Sequence, residues 1–349
     1  MQAIQHILAA SDAQVSIGDL AESLSPYIGT QAVARGGVWL AGRRVIDPDV
    51  RGVAGATLTL RLPPGGVYAE LELGAGDIAY EDAWLIALHK GMGWYVGATP
   101  WDVVGNALAA LGRYLEARDG VAPPLHLAHQ LDRDTTGILL FSTSPLANGP
   151  LTAAFASGQV SKTYRCLVVG SPPDTGEVRS GHGRAAGGRW RVYPHEEVGR
   201  ELPSGGGRVK EAHTGYAVER WLDGAALVRC VPHTGRTHQI RLHMAHLGHP
   251  LLGDARYGGP TAYAGRELPG HLLHAAELRL RHPVTGATLD LVSPYPALFA
   301  EISALSLSID KVSGARFQRD SSSCGFQPTV RLHTRLKPLL RTPQIVKLF

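Results

Sequence analysis

The sequence predicts an α+β fold: a main domain on a mixed, largely antiparallel sheet, preceded by a small N-terminal α/β domain. Three observations carry this expectation. After Asp77, runs of strand-like segments are broken by only a few helical ones. Asp223-Gly224 and Pro283–Ala287 each separate two strand-like runs and read as hairpin turns. Pro63-Pro64-Gly65-Gly66 is a strong breaker that sets residues 1–65 apart from a catalytic-sized domain at 66–300.

In chain order, helical spacing is seen around Ile4–Ala10 and Ile17–Leu24, followed by a Gly-rich stretch, Gly37–Val45, and an alternating strand, Ala56–Leu62. This arrangement resembles a small RNA-binding domain of ribosomal proteins and modification enzymes, although most of the basic residues expected on the helices are missing. Trp84–His89 is a continuous apolar run typical of a buried strand, and Val104–Leu115 is helical. Ile138–Ser142 and Thr163–Val169 are strands, with a helix at Leu146–Phe155 between them. Val218–Leu222 and Ala226–Val231 form the first hairpin, Thr237–Leu247 a helix, and Glu277–Arg281 with Thr288–Val292 the second hairpin. Gly181–Lys210, rich in Gly and Arg, reads as a mobile insertion.

The 349 residues, 44% hydrophobic and 18% charged, suit a globular chain of about two domains. No apolar run approaches the roughly 18 residues of a membrane span, and the N-terminus has no secretory pattern. Cys166, Cys230 and Cys324 are too scattered for a disulfide framework or a metal knuckle, so a cytoplasmic location is expected. The net charge of +4 is unevenly distributed: residues 310–349 carry +6 and the rest −2. That segment reads as a basic tail able to hold phosphates.

Two polar segments stand out. The first, His129-Gln130-Leu131-Asp132-Arg133-Asp134-Thr135-Thr136-Gly137, lies between strand-like runs, where loop sites are commonly built, though its composition also fits an ordinary turn. The second, His233–Arg241, leads into a helix that Thr234 or Thr237 can cap. Arg236 and Arg241 sit near that helix start, where cations are disfavoured; they would suit a phosphate or a buried carboxylate. His238, His243, His246 and His249 are spaced five, three and three apart with no Glu among them, and His238 and His243 would point about 140° apart. No metal is expected.

Together these segments resemble the RluA-type RNA pseudouridine synthases. The family's HRLDxxTSG appears as His129–Gly137, its KxY as Lys162-Thr163-Tyr164, and its TGRTHQIRxHxxxxGHPxxGDxxYG spans Thr234–Gly258. Its LHAxxLxxxHPxTG runs from Leu273 to Gly286, and the likeness covers roughly residues 77–296. The resemblance implies a pseudouridine synthase-type catalytic domain that isomerises uridine in structured ribosomal or transfer RNA. It implies no cofactor, no membrane and a monomer. Asp132 is implied as the catalytic residue, Arg241 as its ion-pair partner, and Tyr164 as the side chain lying against the target base. His129, Gln130, Arg133, Thr136, Arg236, Thr237 and His238 are implied to contact the base or RNA. Gln130 stands where the family has an Arg thought to help displace the base, so altered substrate handling is expected. Lys90-Gly91-Met92-Gly93 lacks the Pro of the family's KPxG. A catalytically weak RNA-binding protein or RNA chaperone on the same fold is the rival reading, favoured by Gln130 and by the acidic balance of residues 1–309.

Overall fold

The computed structural model describes residues 2–185, 187–202 and 207–305; the expected basic tail at 310–349 lies outside the described residues. The N-terminal part contains β1 (Gln2–Ile7), α1 (Ile17–Leu24), α2 (Gly29–Ala34), β2 (Val38–Leu40), β3 (Arg43–Val45) and β4 (Thr57–Leu62). Its four strands form a separate sheet in the order β1-β4-β2-β3. The helix expected at Ile4–Ala10 is instead β1, antiparallel to β4 from Gln2↔Leu62 to Ile7↔Thr57. Inward and outward residues alternate one by one from Ala3 to Leu8, which is the period of a strand. Ser16 caps α1 by accepting from the Asp19 N–H at 3.1 Å, and the helices cover a core that includes Ile17, Val33, Leu58 and Leu60.

Buried Arg35, just after α2, ties this part to the loop at 99–106. Its Nη2 donates to Asp102 at 2.9 Å, while Arg44 donates to the Thr99 carbonyl at 2.9 Å. The Trp39 indole N–H donates to the Pro100 carbonyl at 2.8 Å.

The second part contains β5 (Ile78–Glu81), β6 (Leu85–Lys90), α3 (Ala107–Asp119), β7 (His126–Leu127), β8 (Thr136–Ser142), α4 (Pro145–Ala156) and β9 (Ser161–Val169). It continues through β10 (Thr175–Arg184), β11 (Trp190–Tyr193), β12 (Lys210–Leu222), β13 (Ala225–Pro232) and α5 (Gln239–His246). It ends with β14 (Ala262–Tyr263), β15 (Arg266–Glu267), β16 (Leu273–Arg281), β17 (Thr288–Val292) and α6 (Ala297–Ser303). The large sheet runs β11-β10-β12-β13-β9-β16-β8-β6-β5, with β17 on β16 and β7 on β8. Its strands pair antiparallel except at β16 and β8, which run parallel. The expected α+β fold with a mixed, largely antiparallel sheet is therefore found.

The continuous apolar character of β6 and β8 follows from burial on both faces. Ile86, Leu88, Leu139 and Phe141 pack with α3, while Leu85, Ala87, Ile138 and Leu140 pack with α4. Asn106 and Ser144 cap these helices, and Pro145 occupies the first turn of α4. The insertion expected to be mobile holds instead the end of β10 and all of β11, which pair from Gly181↔Tyr193 to Arg184↔Trp190. Tyr193, Leu202 and Val209 bury together against this extension. Two of its glycines are packing positions: a Cβ on Gly181 would lie 2.6 Å from Val209 and one on Gly183 3.0 Å from Leu202.

The parallel joint is short, pairing only His274↔Thr136 and Ala275↔Gly137. Gly137 has φ +111°, and a Cβ there would lie 2.2 Å from the Ala275 carbonyl oxygen. Gly137→Ala is expected to force the two strands apart and to lower stability by about 3 kcal/mol or more. Urea unfolding midpoints of the two proteins, compared at equal m value, check this.

Candidate active site

The first polar segment is the loop entering β8. The Thr135 N–H donates to the Asp132 carbonyl at 3.1 Å, closing a turn over Arg133 and Asp134. Lys90, buried at the end of β6, holds this turn from below. Its Nζ donates to the carbonyls of Gly91, Arg133 and Thr135 at 3.0, 2.7 and 2.8 Å. Burial lowers the Lys90 pKa to about 7. The carbonyl cage opposes that shift, because only the ammonium form has three hydrogens to give. The Thr135 hydroxyl meets His271 Nε2 at 2.9 Å, fixing the last residue before the strand.

The second segment is held by Gln239, whose four hydrogen-bonding positions are all used. Oε1 accepts from the Thr234 hydroxyl at 2.7 Å and the Arg236 N–H at 3.0 Å. Nε2 donates to the His213 carbonyl and to Thr214 Oγ1, both at 2.9 Å. Neither threonine caps α5, contrary to expectation, because Thr234 is drawn into this network. The capping position falls to His238, whose φ of +58° places it in the left-handed region. Such backbone strain in a non-glycine residue recurs at functional sites.

Arg241 joins the two segments. Its Nε and Nη2 donate to Oδ2 and Oδ1 of Asp254 at 2.7 and 2.9 Å, and its Nη1 donates to Asp132 Oδ2 at 2.9 Å. The Asp254 side chain is 1% exposed, that of Arg241 7% and that of Asp132 21%. Burial works against the guanidinium's charge, but its pairing with Asp254 and then Asp132 raises its pKa above the ordinary value. The other Asp132 oxygen, Oδ1, lies 3.8 Å from His238 Nε2, beyond hydrogen-bond reach. Burial lowers the His238 pKa against the pull of Asp132, and its Nδ1 lies 2.7 Å from the Tyr257 hydroxyl. Tyr257 also lies beneath Arg241, with the guanidinium carbon 5.1 Å from the ring centre.

Asp132 and His238 face a cavity of ≈ 660 Å³. Of the expected site residues, Asp132, Tyr164, His129, Gln130, Arg236, Thr237 and His238 line it. Burial, followed by the nearby Asp132 charge, pushes the Tyr164 hydroxyl pKa well up, so it is a neutral phenol. His129 is neutral too, its pKa brought down to about 3 by burial. Its Nε2 accepts from the Leu140 N–H at 3.0 Å, and its ring stacks on Phe155 at 4.7 Å. Arg236 Nε donates to the Glu211 carbonyl at 2.8 Å. Gln130 is exposed at the cavity edge.

Two expected contact residues lie elsewhere. Arg133 is exposed outside the cavity and paired with Asp134 at 2.7 and 3.0 Å. Thr136 is buried, its hydroxyl 2.8 Å from His274 Nδ1, because its place in the parallel joint turns it into the sheet. His274 Nε2 donates to the Ser293 carbonyl at 3.0 Å, so in the neutral ring Nδ1 accepts from Thr136.

The sequence motifs assign no role to Asp254, Tyr257, Lys90, His271 and Lys162. The first two stand in the matched motif as its Asp and Tyr; Lys90 ends an apolar strand, an odd place for an ammonium unless carbonyls receive it.

Removing Asp254 would leave a buried guanidinium half paired; Asp254→Ala is expected to cost about 3–5 kcal/mol in a urea unfolding measurement. Burial also lowers His243 and His271 to about 4. Between that value and about 6.5 the unfolded chain takes up protons that the folded chain refuses, so stability falls as pH drops through this window. Each ring contributes on the order of a few kcal/mol, and urea midpoints at pH 7.5 and pH 5 should differ accordingly.

A family model described as RNA pseudouridylate synthase matches residues 85–246. RNA pseudouridine synthase 1 of Oryza sativa subsp. japonica is 35% identical over 260 residues, covering 64% of this chain and 73% of the relative. Ribosomal large subunit pseudouridine synthase D of Zymomonas mobilis is 32% identical over 229 residues, covering 63% and 69%. Among solved structures, human RNA pseudouridylate synthase domain containing 4 aligns with a TM-score of 0.52 at 27% identity, covering 64% of this chain and 90% of the other. The chain therefore belongs to the RluA-type RNA pseudouridine synthases, which are isomerases.

Proposed function

We propose that this chain converts uridine to pseudouridine in structured ribosomal RNA, without a cofactor, using Asp132 as the reactive carboxylate. One observation carries the assignment of Asp132. It is the one carboxylate lining the cavity, and Arg241 fixes one of its oxygens while the other is left clear of donors among the described residues. A carboxylate oriented in this way can attack the sugar or the base, or take a sugar proton. Each route needs it ionised and partly desolvated, a cost the Arg241 charge offsets. The name of the Zymomonas mobilis relative supports a ribosomal substrate.

The reaction breaks the bond between N1 and the sugar C1′, turns the ring, and joins C5 to C1′. C5 then loses its hydrogen and N1 gains one, so atoms and electrons balance without an oxidant or a second substrate. The detached uracil must stay in place, and a cavity of ≈ 660 Å³ is large enough to take one nucleotide. Tyr164, a neutral phenol lining the same cavity as Asp132, suits contact with the ring and hydrogen bonding to the water or carboxylate that takes the C5 proton. A uridine within a helix must be turned out of its stack, at a few kcal/mol.

Tritium release from RNA labelled at uridine C5 tests this reading. Wild type should release tritium, while Asp132→Asn should lose on the order of 10⁴-fold or more in turnover and bind RNA within about threefold. Release by the variant would remove Asp132 from the chemistry. RNA binding with no release by either protein would favour the non-catalytic RNA-binding reading.

A further inference from the structure

Lys162 lines the cavity with Asp132 and Tyr164 yet has no part in the chemistry above. It precedes Tyr164 by two residues on β9, so both side chains leave the same face of the strand, about 6.6 Å apart along it. Asp132 is already matched by Arg241, and among the described residues no carboxylate pairs with Lys162 to offset the cost that half-burial places on its charge; burial lowers its pKa. A cation partly withdrawn from water without its own anion is unfavourable until an anion arrives. Nζ lies 3.7 Å from where a Cβ on Gly235 would be, which places the ammonium beside the loop of the second polar segment.

We infer that Lys162 is the phosphate-binding residue of this cavity, holding a phosphate of the nucleotide whose base lies against Tyr164. The inference rests on the cavity being the uridine site. A uracil carbonyl can accept a hydrogen bond from an ammonium but brings no charge to offset it, whereas the nucleotide carries an anion one sugar away from its base. One pleat repeat separates Tyr164 from Lys162 on the same face, which matches that spacing. The phosphate then restrains the sugar while the glycosidic bond is broken, so its contribution falls on binding and not on proton transfer.

The test uses titration calorimetry with uridine, uridine 5′-monophosphate and uridine 3′-monophosphate. With wild type, one monophosphate should bind about tenfold or more tighter than uridine. Lys162→Met should bring that preference within about twofold while leaving uridine affinity unchanged, and Lys162→Arg should restore it. No preference in wild type, or no measurable binding of either monophosphate, would overturn the inference without recourse to any variant. So would a Lys162→Met protein that keeps the preference. In tritium release from total RNA, Lys162→Met should raise KM about tenfold with kcat within about threefold; a fall in kcat alone would make Lys162 a proton-transfer group instead. Wild type that releases tritium but ignores the phosphate would sink only this inference, whereas absence of release would sink the reading beneath it.

Discussion

A single guanidinium shared between two carboxylates sets the geometry on which the site depends. Arg241 gives two parallel hydrogen bonds to Asp254 and one to Asp132. The fork locks its plane against a wholly buried partner, and only then does the remaining nitrogen have a defined direction for Asp132. A lysine would supply the charge without the plane. The arrangement also sorts the two acids: Asp254 is enclosed and spent on orientation, while Asp132 keeps one oxygen toward the cavity. The arginine is misplaced for its helix, close to an N-terminus that disfavours cations, and the paired carboxylates supply the compensation.

That pairing joins parts of the chain 109 residues apart, so both ends need firm seats. On the Asp132 side, Lys90 gathers three carbonyls of neighbouring loops, and His271 holds Thr135. The strand behind, β8, meets β16 in the sheet's parallel joint, where Thr136 and His274 pair both through the backbone and through their side chains. On the other side, Gln239 and His238 fix the start of α5. The catalytic candidates therefore gather where β8, β9 and β16 run side by side.

The same physics explains what could be read in advance. The strands β6 and β8 announce themselves because burial on both faces demands unbroken apolar runs, and the hairpin at Asp223-Gly224 because its turn takes a glycine at φ +70°. The first strand was obscured because a short segment with Ile4, Ile7 and Leu8 satisfies both periods, and only pairing with β4 settles the choice. The Gly- and Arg-rich insertion reads as mobile because composition cannot separate glycines that allow close strand packing, Gly181 and Gly183, from those that make turns, such as Gly187 and Gly188. At the site, motifs indicated which residues meet but not their duties. Thr136 and Asp132 stand in one short motif, yet the start of β8 turns Thr136 into the sheet and leaves Asp132 in the cavity. The role of Lys90 is hidden from a local pattern because two of the three carbonyls it gathers, those of Arg133 and Thr135, are distant in sequence.

Charge around the cavity is arranged in depth. Asp132, Arg241 and Asp254 together carry one negative charge, held among groups that exclude water. Lys162 and Arg236 add two positive charges to the lining. An RNA strand is anionic along its backbone and neutral at its bases, so this distribution draws the backbone toward the cations and leaves the carboxylate to face a neutral ring. On the proposed reading the separation matters because the carboxylate would meet a nucleotide without repelling the phosphates beside it. Cations in the same cavity lining lower that repulsion, and Arg241, paired with Asp132, lowers it further. A site with the carboxylate alone would repel its own substrate; a site with all its charges mutually paired would have no grip on it.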